Sequence, residues 1–376
     1  MQDDDSVETD IPMTIEDNYL TKLESLFEVP VYDVSQVEKE RLLVEVLATL
    51  HQHHVENCES YQRLASTWKT DNIQLSDIPF VAVRLFKLLA LKSVPESKVL
   101  KCLTSSGTSG QVPAKIFLDA ITSRWQSKVL VRILQQFLGK QRLPMLIIDS
   151  PGNHQSGSRV NARFAGIQGL AMFGRDHTYA LNNDMTVDWE AVEAFCRKYE
   201  NDNVLVFGFT FMVWHYFIAA IKSANRTVRL PNAHLFHSGG WKKLQSQSVD
   251  NHTFKAGVLN LTGIPKVTNF YGMAEQVGTV FMECEHGFLH APSTADVVFR
   301  DCYDFSELNV GQTGLIQVLS ALPYSYPGFS ILTEDLGTLH GVDDCQCGRK
   351  GKYFTVESRL PKVELRGCSD TAAAAS

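Results

Sequence analysis

The chain has 376 residues, 44% of them hydrophobic and 20% charged, which suits one large or two ordinary globular domains. A net charge of -7 argues against a nucleic-acid surface, and no apolar run reaches the length that spans a bilayer. The acidic, polar start is the opposite of a secretory signal. Eight cysteines without a dense framework suit a reducing cytosol, so a cytoplasmic location is expected.

Residues 1–12 are expected to be a disordered lead. Residues 15–27 alternate apolar and charged positions at helical spacing. Ser35 and Glu38 form a capping-box pattern, and Leu43, Val46, Leu47 and Leu50 mark one face of the helix that follows. His51, His53 and His54 are read as the end of that helix, where imidazolium favours the dipole; a metal site is the rival reading. A strongly apolar segment begins at Ile78-Pro79-Phe80 and runs to Leu91, expected to pack under the loop that follows.

That loop is Thr104-Ser105-Ser106-Gly107-Thr108-Ser109-Gly110, with Lys115 beyond it. Five of its seven residues carry hydroxyls and the other two are glycines. Such a run turns backbone N–H groups and hydroxyls toward one point and wraps an anion, a nucleotide polyphosphate being the first suspect. A plain surface loop is the competing reading. Trp125, Val129, Ile133 and Phe137 recur every four residues afterwards, and Gly139 stands at the expected C-cap. An apolar strand at 143–149 then implies an α/β alternation with a sheet covered on both faces.

Residues 150–169, rich in Gly, Ser and Asn, read as a loop, and 188–199 as a helix. Val204–Phe209 reads as a buried strand, 211–221 as an aromatic-rich helix, and 233–236 and 266–270 as further strands. Gly314–Ser320 and 329–333 read as β structure in a more β-rich final part. In open α/β sheets ligands bind beyond the carboxyl ends of strands. The strand ends before Phe211, His237 and Tyr271 are therefore expected to share one cleft with the loop. The sequence has no Walker loop, no nucleophile elbow and no dinucleotide fingerprint after a strand.

Four motifs stand in order: Ser105-Ser106-Gly107-Thr108-Ser109-Gly110, then His237-Ser238-Gly239-Gly240, then Tyr271-Gly272-Met273-Ala274-Glu275, then Thr333-Glu334-Asp335-Leu336-Gly337. Together they resemble the adenylate-forming superfamily of acyl-CoA synthetases, adenylation domains and luciferases. Gly239-Gly240-Trp241-Lys242, the run from Ser325 to Asp335, and Gly367-Cys368 resemble more closely the acyl-protein synthetase (LuxE) family of bacterial luminescence, from about residue 78 to 370. The fold class implied is α/β: an adenylate-forming, acyl-CoA-synthetase-like N-terminal domain over 13–370. Its β-rich part spans about 280–357, a hinge-like segment 358–370 and a tail 371–376, without the full mobile C-terminal domain of larger members.

The resemblance implies ATP-dependent activation of a fatty or aryl carboxylic acid to an acyl adenylate, then transfer to a thiol. Residues 104–110 would hold the β- and γ-phosphates, with Lys115 a possible helper whose spacing departs from the superfamily pattern. Glu275 would hold Mg²⁺, Tyr271, Gly272 and Ser238–Gly240 would line the adenine, and Asp335 would accept from the ribose. Arg359 would be the second ribose contact, with Arg349 its rival. Cys368 would carry the acyl group before it passes to a reductase, synthase or acyl-carrier partner. Phe207, Phe209, Phe211 and Trp214 are candidates for the acyl pocket, though aromatics there are also ordinary core. Cys284, His290, Cys345 and Cys347 resemble a structural zinc set of phenylacetate-CoA ligase relatives, with His286 an alternative to His290. An acyl-CoA or acyl-carrier-protein ligase, and a non-catalytic nucleotide-binding scaffold, remain alternatives.

Overall fold

Short polar side chains cap the helix starts, at Ser35 as the sequence predicts and at Thr14 besides. In the computed structural model, which describes residues 13–65, 74–104, 113–154, 162–241 and 248–360, Thr14 and Asp17 close a capping box on helix α1 (Ile15–Glu28). Ser35 accepts from the Glu38 N–H at the start of α2 (Gln36–Asn57). Helix α3 (Glu59–Ala65) follows. A two-residue strand β1 (Val81–Ala82) and a single turn α4 (Leu85–Leu88) occupy the apolar segment after Ile78. Strands β2 (Lys101–Thr104) and β3 (Lys115–Leu118) form a small antiparallel ladder of their own.

The α/β alternation then begins with α5 (Ala120–Leu138), capped by Asp119 and ended at Gly139, and β4 (Leu143–Ile147). Helix α6 (Ala162–Ala171), β5 (Gly174–Tyr179), α7 (Trp189–Lys198) and β6 (Val204–Phe209) continue it. A π-helical stretch (Met212–Ile218) leads into α8 (Ala219–Ala224), then β7 (Ala233–Ser238), α9 (Asn251–Thr262) and β8 (Lys266–Tyr271). The β-rich part holds β9 (Phe281–Glu283), β10 (Leu289–His290), β11 (Ala295–Arg300), β12 (Thr313–Ser320), β13 (Ser330–Val342) and β14 (Lys352–Arg359).

One sheet runs β11-β12-β13-β14-β10-β9-β8-β7-β6-β4-β5, with β1 joining β13. Its β5-β4-β6-β7-β8 half is parallel and its other half antiparallel, except for the parallel β1–β13 pair. The central parallel strands β4, β6 and β7 are buried on both faces, between one core containing Phe207 and Phe236 and a second containing Val206, Leu235 and Phe254. Burying a side chain of the Phe236 kind contributes about 1.5–3 kcal/mol.

Two readings of the sequence need correction and one, the helix at 211–221, is refined. Residues 162–171 form a helix rather than loop; Gly166 lies beneath the Phe209 ring, so the composition reflects close packing. The helix expected at 211–221 is π-helical over Met212–Ile218. Finally, α2 continues to Asn57, and His51, His53 and His54 are all buried rather than capping its end. His54 is bonded to Ser93 Oγ and the Pro323 carbonyl, and burial pushes its pKa well below the usual imidazole range. A neutral ring cannot supply the positive charge that a helix C-terminus favours.

Candidate active site

Parallel register lines up the strand ends. Phe209 of β6 pairs with Ser238 of β7, and Ser238 with Phe270 of β8, so three chain segments leave the sheet in one row. Beyond β7, Gly239 has φ +84°, a left-handed turn that an L side chain adopts only with strain; an added Cβ there would also lie 3.3 Å from the Phe209 ring. Gly240 follows with open space around it. His237, buried just before the turn, is bonded to Thr210 Oγ1 through Nδ1 and is depressed to about 3 by burial.

Beyond β8, Tyr271 donates to Asp335 Oδ2 at 2.8 Å. Burial, then the Asp335 carboxylate, raises the Tyr271 hydroxyl well above the phenol range, so it stays a donor. Arg359 Nε lies 3.4 Å from Asp335 Oδ1 and 3.7 Å from Glu334 Oε2. The backbone explains this meeting: Asp335 and Arg359 are register partners in the β13–β14 ladder, and the Leu360 N–H donates to the Glu334 carbonyl at 2.8 Å. Arg84 pairs with Glu334 from the other side.

Glu275 sits in a tight turn (Ala274–Gln276) after β8 and is only 7% exposed. The Tyr326 hydroxyl donates to its carbonyl at 2.9 Å, and the Gln276 amide is anchored on the Val318 and Gly328 carbonyls. Burial raises the carboxyl pKa, opposed by the positive charges of Arg359 and Lys87. A buried carboxyl group at the end of a sheet strand is of the oxygen-donor type that a phosphate-bound hard cation takes.

Thr104 and Lys115 are the last cross-strand pair of β2–β3, so the two ends of the predicted phosphate loop are held side by side. Ser105, Ser106, Gly107, Thr108, Ser109 and Gly110 lie outside the described residues, as do Lys242 and Cys368. The four aromatics have different neighbours. Phe207 is buried in stacking contact with Phe270, and Phe209 bridges from Phe207 to Gly239. Phe211 packs on Tyr216, and Trp214 lies against Phe254, Trp241 and the backbone of Gly257.

The cysteine group does come together. The ligand atoms of Cys284, His290, Cys345 and Cys347 all lie within 4.8 Å of one another, with Cys347 Sγ 3.3 Å from His290 Nε2. β10 supplies His290, the turn before it Cys284, and the β13–β14 turn the other two. Gly348, at φ +81°, folds that turn back so that its N–H reaches the Cys345 carbonyl at 2.9 Å. Burial raises the Cys345 thiol to about 12 and also raises Cys284, while His290 Nδ1 is buried without a hydrogen-bond partner. Three thiols and an imidazole are the N/S donor types that a closed tetrahedral metal site uses. Arg349 belongs to this cluster, paired with Glu285 at 3.0 Å and stacked on Tyr32 and Phe137. It is therefore not the partner of Asp335; that position is held by Arg359.

The sequence reading missed Glu334 as a bridge between two arginines, and Arg84 and Lys87 on α4. Nothing in their local pattern marks them; only the pairing of β1 with β13, 250 positions away in the chain, brings Arg84 to Glu334.

The fold is that of the adenylate-forming ligases. An open-conformation 2-hydroxyisobutyryl-CoA ligase, solved with 2-HIB-AMP and CoA, matches with a TM-score of 0.66 at 16% identity, over 89% of this chain and 78% of that one. The same ligase in its postadenylation state gives 0.65 at 16%, covering 88% and 69%. The family model described as acyl-protein synthetase, LuxE, matches residues 13–375, and the chain belongs to that family. The long-chain-fatty-acid–luciferin-component ligase of Vibrio harveyi is 22% identical over 351 residues, covering 88% of this chain and 87% of the relative. Its counterpart in Aliivibrio fischeri is 23% identical over 333 residues, 84% of each. The chain is accordingly a ligase of the acyl-adenylate-forming kind. No helix among the described residues is long and apolar enough to cross a membrane.

Proposed function

We propose that this chain activates an apolar carboxylic acid with ATP and passes the acyl group to a thiol, either its own Cys368 or one on a partner protein. The observation that carries the reading is the convergence of Tyr271, Asp335 and Arg359 beside buried Glu275. The Asp335 carboxylate, held by a phenol and a guanidinium, suits the ribose hydroxyls as donors. The Ser238–Gly240 turn and Tyr271 are suited to border the adenine. Residues 104–110 and Lys115 are assigned to the pyrophosphate side. Glu275 would hold Mg²⁺, whose contribution is to neutralise phosphate oxygens.

In the first step a carboxylate oxygen attacks the α-phosphorus and the bond to the β-phosphate oxygen breaks, releasing pyrophosphate. The chain's task is to hold two anions together and stabilise the added charge. In the second step a thiolate attacks the acyl carbon and AMP leaves, giving a thioester. The named relatives join a long-chain fatty acid to a luciferin component, which favours a fatty acid here and an acyl-accepting reductase as partner. Phe207 and Phe209 are assigned to the acyl side of the cleft. Cys284, His290, Cys345 and Cys347 are assigned to a structural Zn²⁺, which the donor set and the approach of Cys347 Sγ to His290 Nε2 at 3.3 Å favour.

Intact-mass measurement after incubation with ATP, Mg²⁺ and long-chain acids tests the acceptor. A hydroxylamine-labile acyl adduct that disappears in Cys368→Ser is expected. An adduct unchanged by that substitution, or acyl-CoA formed equally well without the thiol, would remove Cys368 from the pathway.

A further inference from the structure

The turn that carries Cys345 and Cys347 leaves β13 after Val342 and rejoins β14 at Lys352, and helix α2 is seated on it. Asp343 stands at φ +62°, a left-handed conformation that aspartate tolerates better than most residues. Its carboxylate accepts from the Gly351 N–H at 2.6 Å, which closes the turn, and from the Gln36 N–H at 3.0 Å, the first N–H of α2. That N–H has no carbonyl partner within its own helix, and a carboxylate there suits the positive end of the dipole. Beside it the Lys350 N–H donates to the Tyr32 carbonyl at 2.7 Å, and the Arg349 guanidinium lies 5.7 Å from the centre of the Tyr32 ring. Tyr32 also meets the His290 ring edge-on, with centroids 6.4 Å apart. The end of the α1–α2 link and the first turn of α2 thus rest on residues that flank the four metal-ligating side chains.

Behind this seat lies a buried group of charges. Lys39 Nζ is 3.0 Å from Asp296 Oδ2, and both side chains are almost completely buried. Lys352, the first residue of β14, approaches Asp296 Oδ1 at 3.5 Å, and Gln36 Nε2 donates to Oδ2 at 2.6 Å. Gly351 packs directly on Lys39, where an added Cβ would lie 3.1 Å from Nζ. An ion group buried in this way is stable only while its partners stay together. Gln36 and Lys39 belong to the start of α2, and Gly351 and Lys352 to the end of the turn, so one displacement opens both sets of contacts. Further along α2, Leu43, Val46, Leu47 and Leu50 are fully buried in the main core and hold that part of the helix without the turn.

We propose that metal ligation by Cys284, His290, Cys345 and Cys347 is the clasp that seats the first turn of α2, acting through Asp343, and keeps the Lys39–Asp296–Lys352 group sealed. The inference rests on the structural Zn²⁺ of the proposed function and extends it from a local brace to a control on a helix more than 300 positions away in the chain. Short metal-binding turns owe much of their shape to the bonds their thiols make. Release of the ligands therefore loosens Asp343, and with it residues 31–40, while 43–57 stay packed.

Hydrogen–deuterium exchange of the full chain, read by peptide mass, tests this. The chain as purified is compared with the chelated chain, with the chelated chain after Zn²⁺ is returned, and with Asp343→Gly. Chelation is expected to speed exchange at residues 31–40 and 343–352 about tenfold or more, to leave 43–57 and 204–209 unchanged, and to be reversed by Zn²⁺. Asp343→Gly removes the carboxylate without straining the left-handed backbone and keeps all four ligands. It is expected to retain about one equivalent of zinc and yet exchange faster at 31–40. Faster exchange on chelation at 284–290 and 343–352 alone overturns the coupling and leaves the zinc assignment standing. If chelation unfolds the whole chain, Asp343→Gly decides: wild-type protection at 31–40 overturns the proposal, and selective loss there sustains it. A purified chain with less than about a tenth of an equivalent of zinc overturns both.

Discussion

Asp335 and Arg359 face each other across the β13–β14 ladder, with Arg359 Nε 3.4 Å from one carboxylate oxygen while the Tyr271 hydroxyl holds the other at 2.8 Å. The carboxylate is thereby oriented by the sheet itself, before any nucleotide arrives. Arg359 is 62% exposed, so the pair adds little to stability and its value lies in geometry.

Replacing Asp335 should therefore affect nucleotide binding far more than folding. Hydrogen bonds to a charged group are worth about 1.5–3 kcal/mol, so Asp335→Ala is expected to raise KM for ATP roughly 10- to 150-fold. Tyr271→Phe is expected to have a smaller effect in the same direction. Steady-state kinetics across ATP concentrations check this; an unchanged KM would detach Asp335 from the ribose.

Glu275 has the opposite balance of stability and function. Its carboxylate is buried at a cost, shown by its raised pKa. Glu275→Gln removes that penalty and keeps the shape, so melting temperature should hold or rise while kcat for adenylation falls by about 10²–10³. A fall in melting temperature with full activity would recast Glu275 as a structural residue.

The cysteine cluster predicts metal content. Purified chain is expected to carry about one equivalent of Zn²⁺, and Cys345→Ser or His290→Ala to lose it and melt at least about 5 °C lower. Elemental analysis reading less than about a tenth of an equivalent would remove zinc from the account.

Buried histidines predict acid sensitivity. Burial depresses His234 to about 4 and His237 to about 3, and lowers His51, His53 and His54. In the unfolded chain each titrates near about 6.5. Above that pH both states are neutral and the effect vanishes. As pH falls below it only the unfolded state gains protons, so stability is lost progressively down to the folded pKa. At pH 5 a group such as His234 costs about 2 kcal/mol. Melting curves should drop between pH 7 and 5, and His234→Gln should flatten that slope; equal melting temperatures at both pH values would contradict it.

Much of this was legible in the sequence where the signal is local. The strand Val204–Phe209 is an apolar run, and Ser35 caps its helix as its sequence pattern suggests. The resemblance led to Tyr271, Asp335 and Arg359, and the structure adds how they meet. What stayed hidden depends on long-range packing. Helix α6 carries a loop-like glycine at Gly166 because Phe209 packs there. The buried histidines resemble a helix end because polar residues in sequence do not reveal the Tyr61, Tyr324 and Phe329 rings packed against them. Arg349 and Arg359 look alike in sequence; only the knuckle turn at Gly348 and the ladder at Asp335 separate their roles.

The measurement that reaches the central claim most directly is acid-dependent pyrophosphate–ATP exchange by the purified wild-type chain with Mg²⁺ and a panel of fatty and aryl acids. The account predicts exchange that requires the acid, is strongest with an apolar chain, and is lost in Glu275→Gln. Absence of exchange with every acid, while ATP still binds, would contradict an acyl-activating ligase and favour a nucleotide-binding scaffold.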